Sequence, residues 1–367
     1  MSNHSASNLF GIASLASGFV SVTGVHDWAV IVASLATIIS AVAAVATRKN
    51  SRPKKGRKPR SIPGGQHKRN MAKTGTITAP SLPLYRAWTR GGRCAYIRGL
   101  MLTFAKMNGA GNDFVMIDNR DLRHDLDKAT IARLCDRHRG IGGDGLLAVE
   151  PADGGADFRM RYYNSDGGEA DMCGNGARCF ARYAARIAGK TDAVRFETLA
   201  GVITAHLLGD QVRLEMSAPH GLALDQELIV NGTPMLVHFL NTGVPHAVAI
   251  VEDADDVDVL ATGSALRHHA HFAPKGANAN FAEELDPQTI RVRTYERGVE
   301  GETLACGTGV VASALIFHLT TGAASPVGVW VKGGDRLEVG WEGDGDAFRN
   351  VTLTGPADFV FDGAVAL

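Results

Sequence analysis

A four-residue phrase that occurs twice constrains this chain more than anything else in it. The first copy is Cys173-Gly174-Asn175-Gly176 and the second is Cys306-Gly307-Thr308-Gly309. Helix-forming residues follow each copy, over 177–187 and 310–318, so each cysteine is expected where a loop turns into a helix. Glycine lets the backbone turn tightly and approach a ligand there. The free N–H groups and dipole of a helix start favour negative charge. A thiol in that place is expected to lose its proton more readily, with a pKa of about 3.5–7.5 against about 8.5 when free. Two such cysteines suit taking a weakly acidic proton from one face of a carbon and returning one to the other. Cys135, in an expected amphipathic helix, and Cys179, inside the helix after Cys173, read instead as small buried hydrophobes. The chain has no Cys-x-x-Cys and no paired histidines at ligand spacing, so no zinc site is expected.

The repeat reaches well upstream of the cysteines. Gly109 stands 64 positions before Cys173 and Gly243 stands 63 before Cys306. Gly142 and Gly276 stand 31 and 30 before their cysteines, and Tyr162 and Tyr295 each stand 11 before theirs. Three landmarks in step mark a duplicated module. Two copies are too few for a solenoid, so two similar lobes facing each other are expected, with one cysteine from each at the cleft. Alternating apolar residues between turn signals read as many short strands, with one small-residue helix after each cysteine. The expected class is α+β: two pseudo-symmetric lobes, each a mainly antiparallel sheet curled around a central helix, preceded by an extra N-terminal segment. The expected divisions are 1–47, 48–100, a first lobe over 101–218, a second over 219–354 and a terminal strand over 355–367.

The formal net charge of zero hides two unlike parts. Fifteen of the 38 basic residues lie between Arg48 and Arg98, while Asp27 is the one acidic residue before Lys106. Residues 101–367 are therefore acidic. Residues 28–46 carry no charge and are long enough to span a bilayer, with the basic flank placing the following chain on the cytoplasmic side. A cleaved signal peptide fits less well, because no basic residue precedes the apolar stretch. Translation beginning at Met101 is an alternative reading. Residues 48–100, rich in Pro, Gly and Arg, are expected to be a disordered linker, and charge alone is weak support for nucleic-acid binding there. Five scattered cysteines argue against a disulfide framework and for a reducing compartment, hence the cytoplasm.

Gly109-Ala-Gly-Asn-Asp-Phe114, Asn164-Ser-Asp-Gly167, Cys173-Gly-Asn-Gly-Ala-Arg178, Tyr295-Glu-Arg-Gly298, Glu302-Thr303 and Ala305-Cys-Gly-Thr-Gly309 resemble the diaminopimelate epimerase family in order and spacing. The resemblance covers residues 101–367 and leaves 1–100 outside it. It implies interconversion of LL- and meso-diaminopimelate on the route to lysine and peptidoglycan, without pyridoxal phosphate, metal or other cofactor, by a homodimer. It implies that Cys173 and Cys306 are the two acid/base thiols, tuned by His246 and Glu296. It further implies that Asn112, Asn164, Asn175, Asn278, Glu296 and Arg297 hold the substrate's carboxylate and ammonium groups. Main-chain N–H groups of Gly174, Gly307 and Thr308 would meet the reacting carboxylate. Two positions depart from the family pattern: Gly145 stands where a glutamine is common, and Val244 where an asparagine is common.

The chemistry of these residue types agrees. An amino-acid α-proton is a poor acid, and two helix starts aimed at one α-carboxylate supply preorganised donors for the developing charge. One thiolate and one thiol form a coupled pair whose apparent pKa values belong to both. Arginine and several asparagines at the far end would read a second amino-acid head. Two other readings stay open. One is a proline- or hydroxyproline-type racemase, which the Cys-Gly-Asn-Gly-Ala-Arg phrase speaks against. The other is a non-catalytic, membrane-tethered binding module, which needs no pair of activated thiols.

Overall fold

The computed structural model of the protein describes residues 85–88, 94–97, 101–343 and 347–367. The apolar stretch 28–46 and most of the 48–100 segment lie outside the described residues. Among the described residues no helix is long and apolar enough to cross a membrane. Part of the expected linker is regular: β1 (Tyr85–Trp88) and β2 (Cys94–Ile97) pair antiparallel, Tyr85 opposite Ile97 and Trp88 opposite Cys94. Tyr-Arg-Ala-Trp and Cys-Ala-Tyr-Ile are rich in strand-favouring aromatic and β-branched residues, which the basic composition around them masks.

From Met101 onward two successions of elements follow the same plan. The first is β3 (Met101–Gly109), β4 (Asn112–Asp118), α1 (Lys128–Cys135), β5 (Gly145–Glu150), β6 (Phe158–Asn164), α2 (Gly174–Ala188), β7 (Ala193–Thr198), β8 (Gly201–Leu208) and β9 (Gln211–Glu215). The second opens with β10 (His220–Val230), β11 (Thr233–Asn241), β12 (Pro245–Val251) and α3 (Val259–Arg267). It continues through β13 (Asn278–Asp286), β14 (Thr289–Glu296), β15 (Gly301–Thr303) and α4 (Gly307–Thr321) to β16 (Val327–Val331), β17 (Arg336–Glu342) and β18 (Arg349–Pro356). The last strand, β19 (Asp358–Ala366), returns to β3. Most pairings are antiparallel. Four are parallel, and each spans a helix: β4–β5 across α1, β6–β7 across α2, β12–β13 across α3, and β14–β16 across α4. Parallel neighbours need such crossover connections.

Why the helices sit where they do follows from side-chain size. α2 is buried along nearly its whole length by Ala177, Ala181, Ala184 and Phe180, the last 4.7 Å from the Phe196 ring. Small residues let strands curl closely around a helix, and α4, with Ala312, Ala314 and Val311, does the same in the second half. The strands beside them are buried on both faces. In β5, Leu147 and Val149 face the α2 core while Leu146 and Ala148 face the α1 core. In β12 and β13, Val248 and Ala282 face the α4 core while Ala247 and Phe281 face the α3 core. Double burial gives continuous apolar runs rather than alternation. α1 starts on Asp127, whose carboxylate accepts the Thr130 N–H at 2.7 Å. α2 and α4 each stop on a left-handed glycine, Gly189 at φ 67° and Gly322 at φ 79°.

The two halves are sewn together through β9 and β18, which pair from Gln211–Pro356 to Glu215–Thr352. Every strand from β3 onward finds its partners within residues 101–367. A fragment of residues 101–367 is therefore expected to fold cooperatively and to match the full-length chain in turnover. Expression of both, with urea melts and activity side by side, checks this; an unfolded fragment would mean that earlier residues complete the fold.

Candidate active site

Each cysteine is the residue immediately before a helix. Cys173 (φ −135°, ψ 123°) precedes α2 and Cys306 (φ −115°, ψ 105°) precedes α4, both in extended backbone. Neither side chain makes a full capping hydrogen bond to its helix. The two helix starts meet. A Cβ built on Gly174 would lie 3.7 Å from the Gly307 Cα, and one built on Gly307 would lie 3.6 Å from the Gly174 Cα and 3.1 Å from Leu353. At Gly307 the tight neighbour is Leu353, while the two helix starts meet at ordinary van der Waals distance. Asn175 locks this contact: its Nδ2 donates to the Ala305 carbonyl at 3.0 Å and to Asn112 Oδ1 at 2.7 Å.

A chain of polar groups fixes the first side. Asn112 Nδ2 donates to Asp144 at 3.0 Å, and Asp144 and Asp113 share Arg137, while Lys106 pairs with Asp113 at 2.8 Å. Behind them Arg178 is fully buried, donating to Asn175 Oδ1 at 2.9 Å and to the carbonyls of Gly174 and Pro356. Asn164 closes β6 and accepts the Tyr162 hydroxyl at 3.0 Å. Gly145 lies opposite Asn164, and a Cβ there would come within 2.9 Å of the Tyr162 ring. The Tyr163 carbonyl, 2.5 Å from that Cβ, and the Tyr162 ring together fill the room that a side chain at position 145 would need.

On the second side, His246 Nε2 is 2.9 Å from Thr308 Oγ1, and Thr308 Oγ1 is 3.7 Å from Cys306 Sγ. Thr242 donates its hydroxyl to the Thr308 carbonyl at 2.8 Å. Asn278 Oδ1 accepts the Arg297 N–H at 2.7 Å and so shapes the end of β14 that carries Glu296. Asn278 itself opens strand β13, where the sequence reads as a loop; Asn-Ala-Asn-Phe has no strong strand signal of its own, and pairing with β12 supplies it.

Electrostatics correct one expectation from sequence. Burial pushes the Cys173 thiol up, with the Gly176 and Asn175 N–H groups and Arg178 opposing the rise and Glu296 adding to it. Burial likewise pushes Cys306 up, Glu296 and Cys173 adding to it and the Gly309 N–H and Thr308 hydroxyl opposing it. The helix starts do lower the cost of a thiolate, but desolvation is the larger effect. Glu296 is raised by burial too. His246 is pushed down to about 3 by burial and by Arg297, so its ring is neutral. Cys135 and Cys179, raised by burial to about 11 and about 12, sit in the cores as inert hydrophobes.

The structure therefore joins Asn112 and Asn175 by a hydrogen bond on one side and His246, Thr308 and Cys306 on the other, and brings the two sides together at Gly174 and Gly307, the residues that follow the two cysteines. The Glu296 charge adds to the rise of both thiols, the Arg297 charge lowers His246, and Asn164 accepts the Tyr162 hydroxyl. Sequence reasoning passes over Asp144, Tyr162, Arg178, Thr242 and Asn280. Tyr162 does stand in the repeated landmarks, which is the signal that marks it.

The family model for diaminopimelate epimerase matches residues 104–220 and 238–360. The diaminopimelate epimerase of Aquifex aeolicus is 41% identical over 277 residues, covering 72% of this chain and 98% of the relative. Among solved structures, a phenazine biosynthesis protein of the PhzF family from Bacillus anthracis aligns with a TM-score of 0.55 at 16% identity, covering 73% of this chain and 99% of its own. A hydroxyproline epimerase from Agrobacterium vitis with bound trans-4-hydroxy-L-proline gives 0.55 at 17% identity, covering 73% and 93%. Those two establish a shared fold.

The neutral, buried His246 makes a pH prediction. Its folded pKa is depressed below the unfolded value, so its contribution to stability is present above about pH 6.5 and is lost as pH falls toward about 3. Between pH 6 and 4, unfolding free energy should fall more steeply in the wild type than in His246→Gln, by up to about 1.4 kcal/mol per pH unit. Urea melts across that range measure it; parallel slopes would show that His246 is not held neutral.

Proposed function

Because this chain belongs to the diaminopimelate epimerase family, we propose that it interconverts LL- and meso-diaminopimelate by two-base proton transfer at one α-carbon. The observation that carries this reading is the contact of two cysteine-headed helix starts at Gly174 and Gly307. The substrate's α-carboxylate takes the N–H groups of Gly174, Gly307 and Thr308, where two helix dipoles meet. One cysteine, as thiolate, removes the α-proton; the other, as thiol, delivers its proton to the opposite face. The C–H bond broken and the C–H bond formed balance, and the two sulfurs exchange protonation states. Charge that develops on the α-carbon and its carboxylate meets donors already in place.

Burial sets the acidity of both thiols against ready ionisation, so the thiolate depends on the helix-start N–H groups and, at Cys306, on Thr308. Arg297, Asn112, Asn164 and Asn278 are assigned to the substrate's polar groups, with Asn175 holding Asn112 in place. Glu296, whose charge acts on both thiols, suits an ammonium group, whose positive charge would offset the cost of burying the carboxylate. Tyr162 occupies the space above Gly145, so recognition at that corner runs through its hydroxyl and Asn164. The proposal includes a homodimer acting in the cytoplasm, which sedimentation and cell fractionation test. The hydroxyproline-type reading is kept as the competitor because the fold is shared.

In heavy water, the full-length protein with LL-diaminopimelate should incorporate deuterium at the α-carbon as the meso isomer accumulates, followed by NMR. Cys173→Ser and Cys306→Ser should each lower turnover by about 10²–10⁴-fold, the usual contribution of a positioned acid or base, with unchanged urea midpoints. Inversion of trans-4-hydroxy-L-proline without exchange into diaminopimelate would replace this reading with the competing one.

A further inference from the structure

The duplication provides an internal comparison for the two cysteines. The β12–β13 ladder begins with His246 opposite Asn278 and runs to Val248 opposite Asn280; the β4–β5 ladder begins with Phe114 opposite Gly145 and runs to Met116 opposite Leu147. His246 and Asn280 thus stand where the first half has Phe114 and Leu147. Thr308, two residues after Cys306, stands where the first half has Asn175, whose side chain is spent on Asn112, Ala305 and Arg178. The His246–Thr308 arrangement behind Cys306 has no counterpart at the matching positions of the first half, where the buried Arg178 lies behind Cys173 instead.

That arrangement has a defined direction. Asn280 is fully buried. Its Oδ1 accepts the Thr294 hydroxyl at 3.0 Å, and its Nδ2 lies 3.1 Å from the Ala247 carbonyl and 3.1 Å from His246 Nδ1. An amide nitrogen can only donate, so His246 Nδ1 must accept and the ring proton must sit on Nε2. Nε2–H then donates to Thr308 Oγ1, which leaves the Thr308 hydroxyl proton for Cys306 Sγ. Gly309 permits this packing: a Cβ there would collide with Asn280 Oδ1 and sit 3.3 Å from His246 Cε1. The charged and titratable groups facing the pair are Glu296 and Cys173 toward Cys306, and Arg297 toward His246.

We propose that Asn280 is a positioning residue that fixes the tautomer of His246, so that His246 and Thr308 donate toward the Cys306 sulfur and favour the thiolate on Cys306 over Cys173. This rests on the reading of Cys306 as one of the two bases. A neutral ring locked as an Nε2 donor cannot exchange protons with substrate. Its role is to lower the cost of negative charge on one sulfur of the pair, leaving Cys173 to its backbone donors and the buried Arg178.

The test uses the full-length chain and needs no substrate, so it judges the relay separately from the epimerase reading. In the wild type, ring ¹⁵N NMR should show His246 Nδ1 as a pyridine-type nitrogen and Nε2 as a protonated one. Asn280→Asp presents only acceptors, so the proton should move to Nδ1 and Thr308 should turn its hydroxyl toward Nε2. Cys306 alkylation by iodoacetamide, mapped by mass spectrometry against pH, should then slow about tenfold with its profile displaced upward, the loss of one hydrogen bond to a charged acceptor. Cys173 should change less than about twofold. In a Thr308→Val background, which keeps the backbone N–H, Asn280→Asp should have no further effect on Cys306. A wild-type proton on Nδ1 would overturn the proposal, as would an unchanged Cys306 profile. So would a full effect persisting in the Thr308→Val background, since that would make the carboxylate introduced by Asn280→Asp, rather than the relay, responsible.

Discussion

The contact between Gly174 and Gly307 is the constraint on which the rest depends. Two helix starts repel each other electrostatically, because both present the positive end of a dipole. They are held together by groups that do not form part of either helix ladder: Asn175 on the Ala305 carbonyl, Arg178 on Pro356, and the strand pair β9–β18. The result is two positive dipole ends in contact, with a cysteine immediately before each helix. An anionic substrate group relieves that repulsion, so binding and the electrostatics of the fold favour the same charge.

Burial is the opposing influence. The wrapped sheets exclude water from the helix starts, which strengthens every dipole there and also makes each thiolate costly. The arrangement trades easily formed thiolates for a dry site in which fixed donors act strongly. Arg178, buried with carbonyl and amide partners, belongs to the same compromise. It contributes positive charge behind Cys173 and costs desolvation that its hydrogen bonds offset.

The plan of the molecule is legible where the sequence repeats. The spacing of Gly109, Gly142 and Tyr162 against Gly243, Gly276 and Tyr295 implies two matching halves, and the small residues after each cysteine imply wrapped helices. The cluster around Asn112, Asn175, Thr308 and His246 is legible only through resemblance, because short polar residues in loops look alike in sequence. Other features depend on tertiary structure. β13 gains its strand from β12, β15 is three residues long, and the helix-start rule overstates thiol acidity because desolvation is invisible in a motif. Tyr162 receives no role from sequence because a period shows that a position is repeated without showing what its side chain touches, and Asn280, set against Leu147 in the first half, carries no repeat signal.

The return of β19 to β3 has a consequence for how the chain is made. Synthesis is vectorial, and domains generally begin to fold as they emerge. The first half, although translated first, lacks its β19 neighbour until residues 358–366 leave the ribosome. Until then β3, with the apolar run Leu102, Phe104, Ala105 and Met107, presents an unpaired edge of the kind that invites pairing with other chains. The last nine-residue strand is thus the closing step of the half that was begun first, and a premature stop before it would leave the completed second half joined to a first half with an adhesive border.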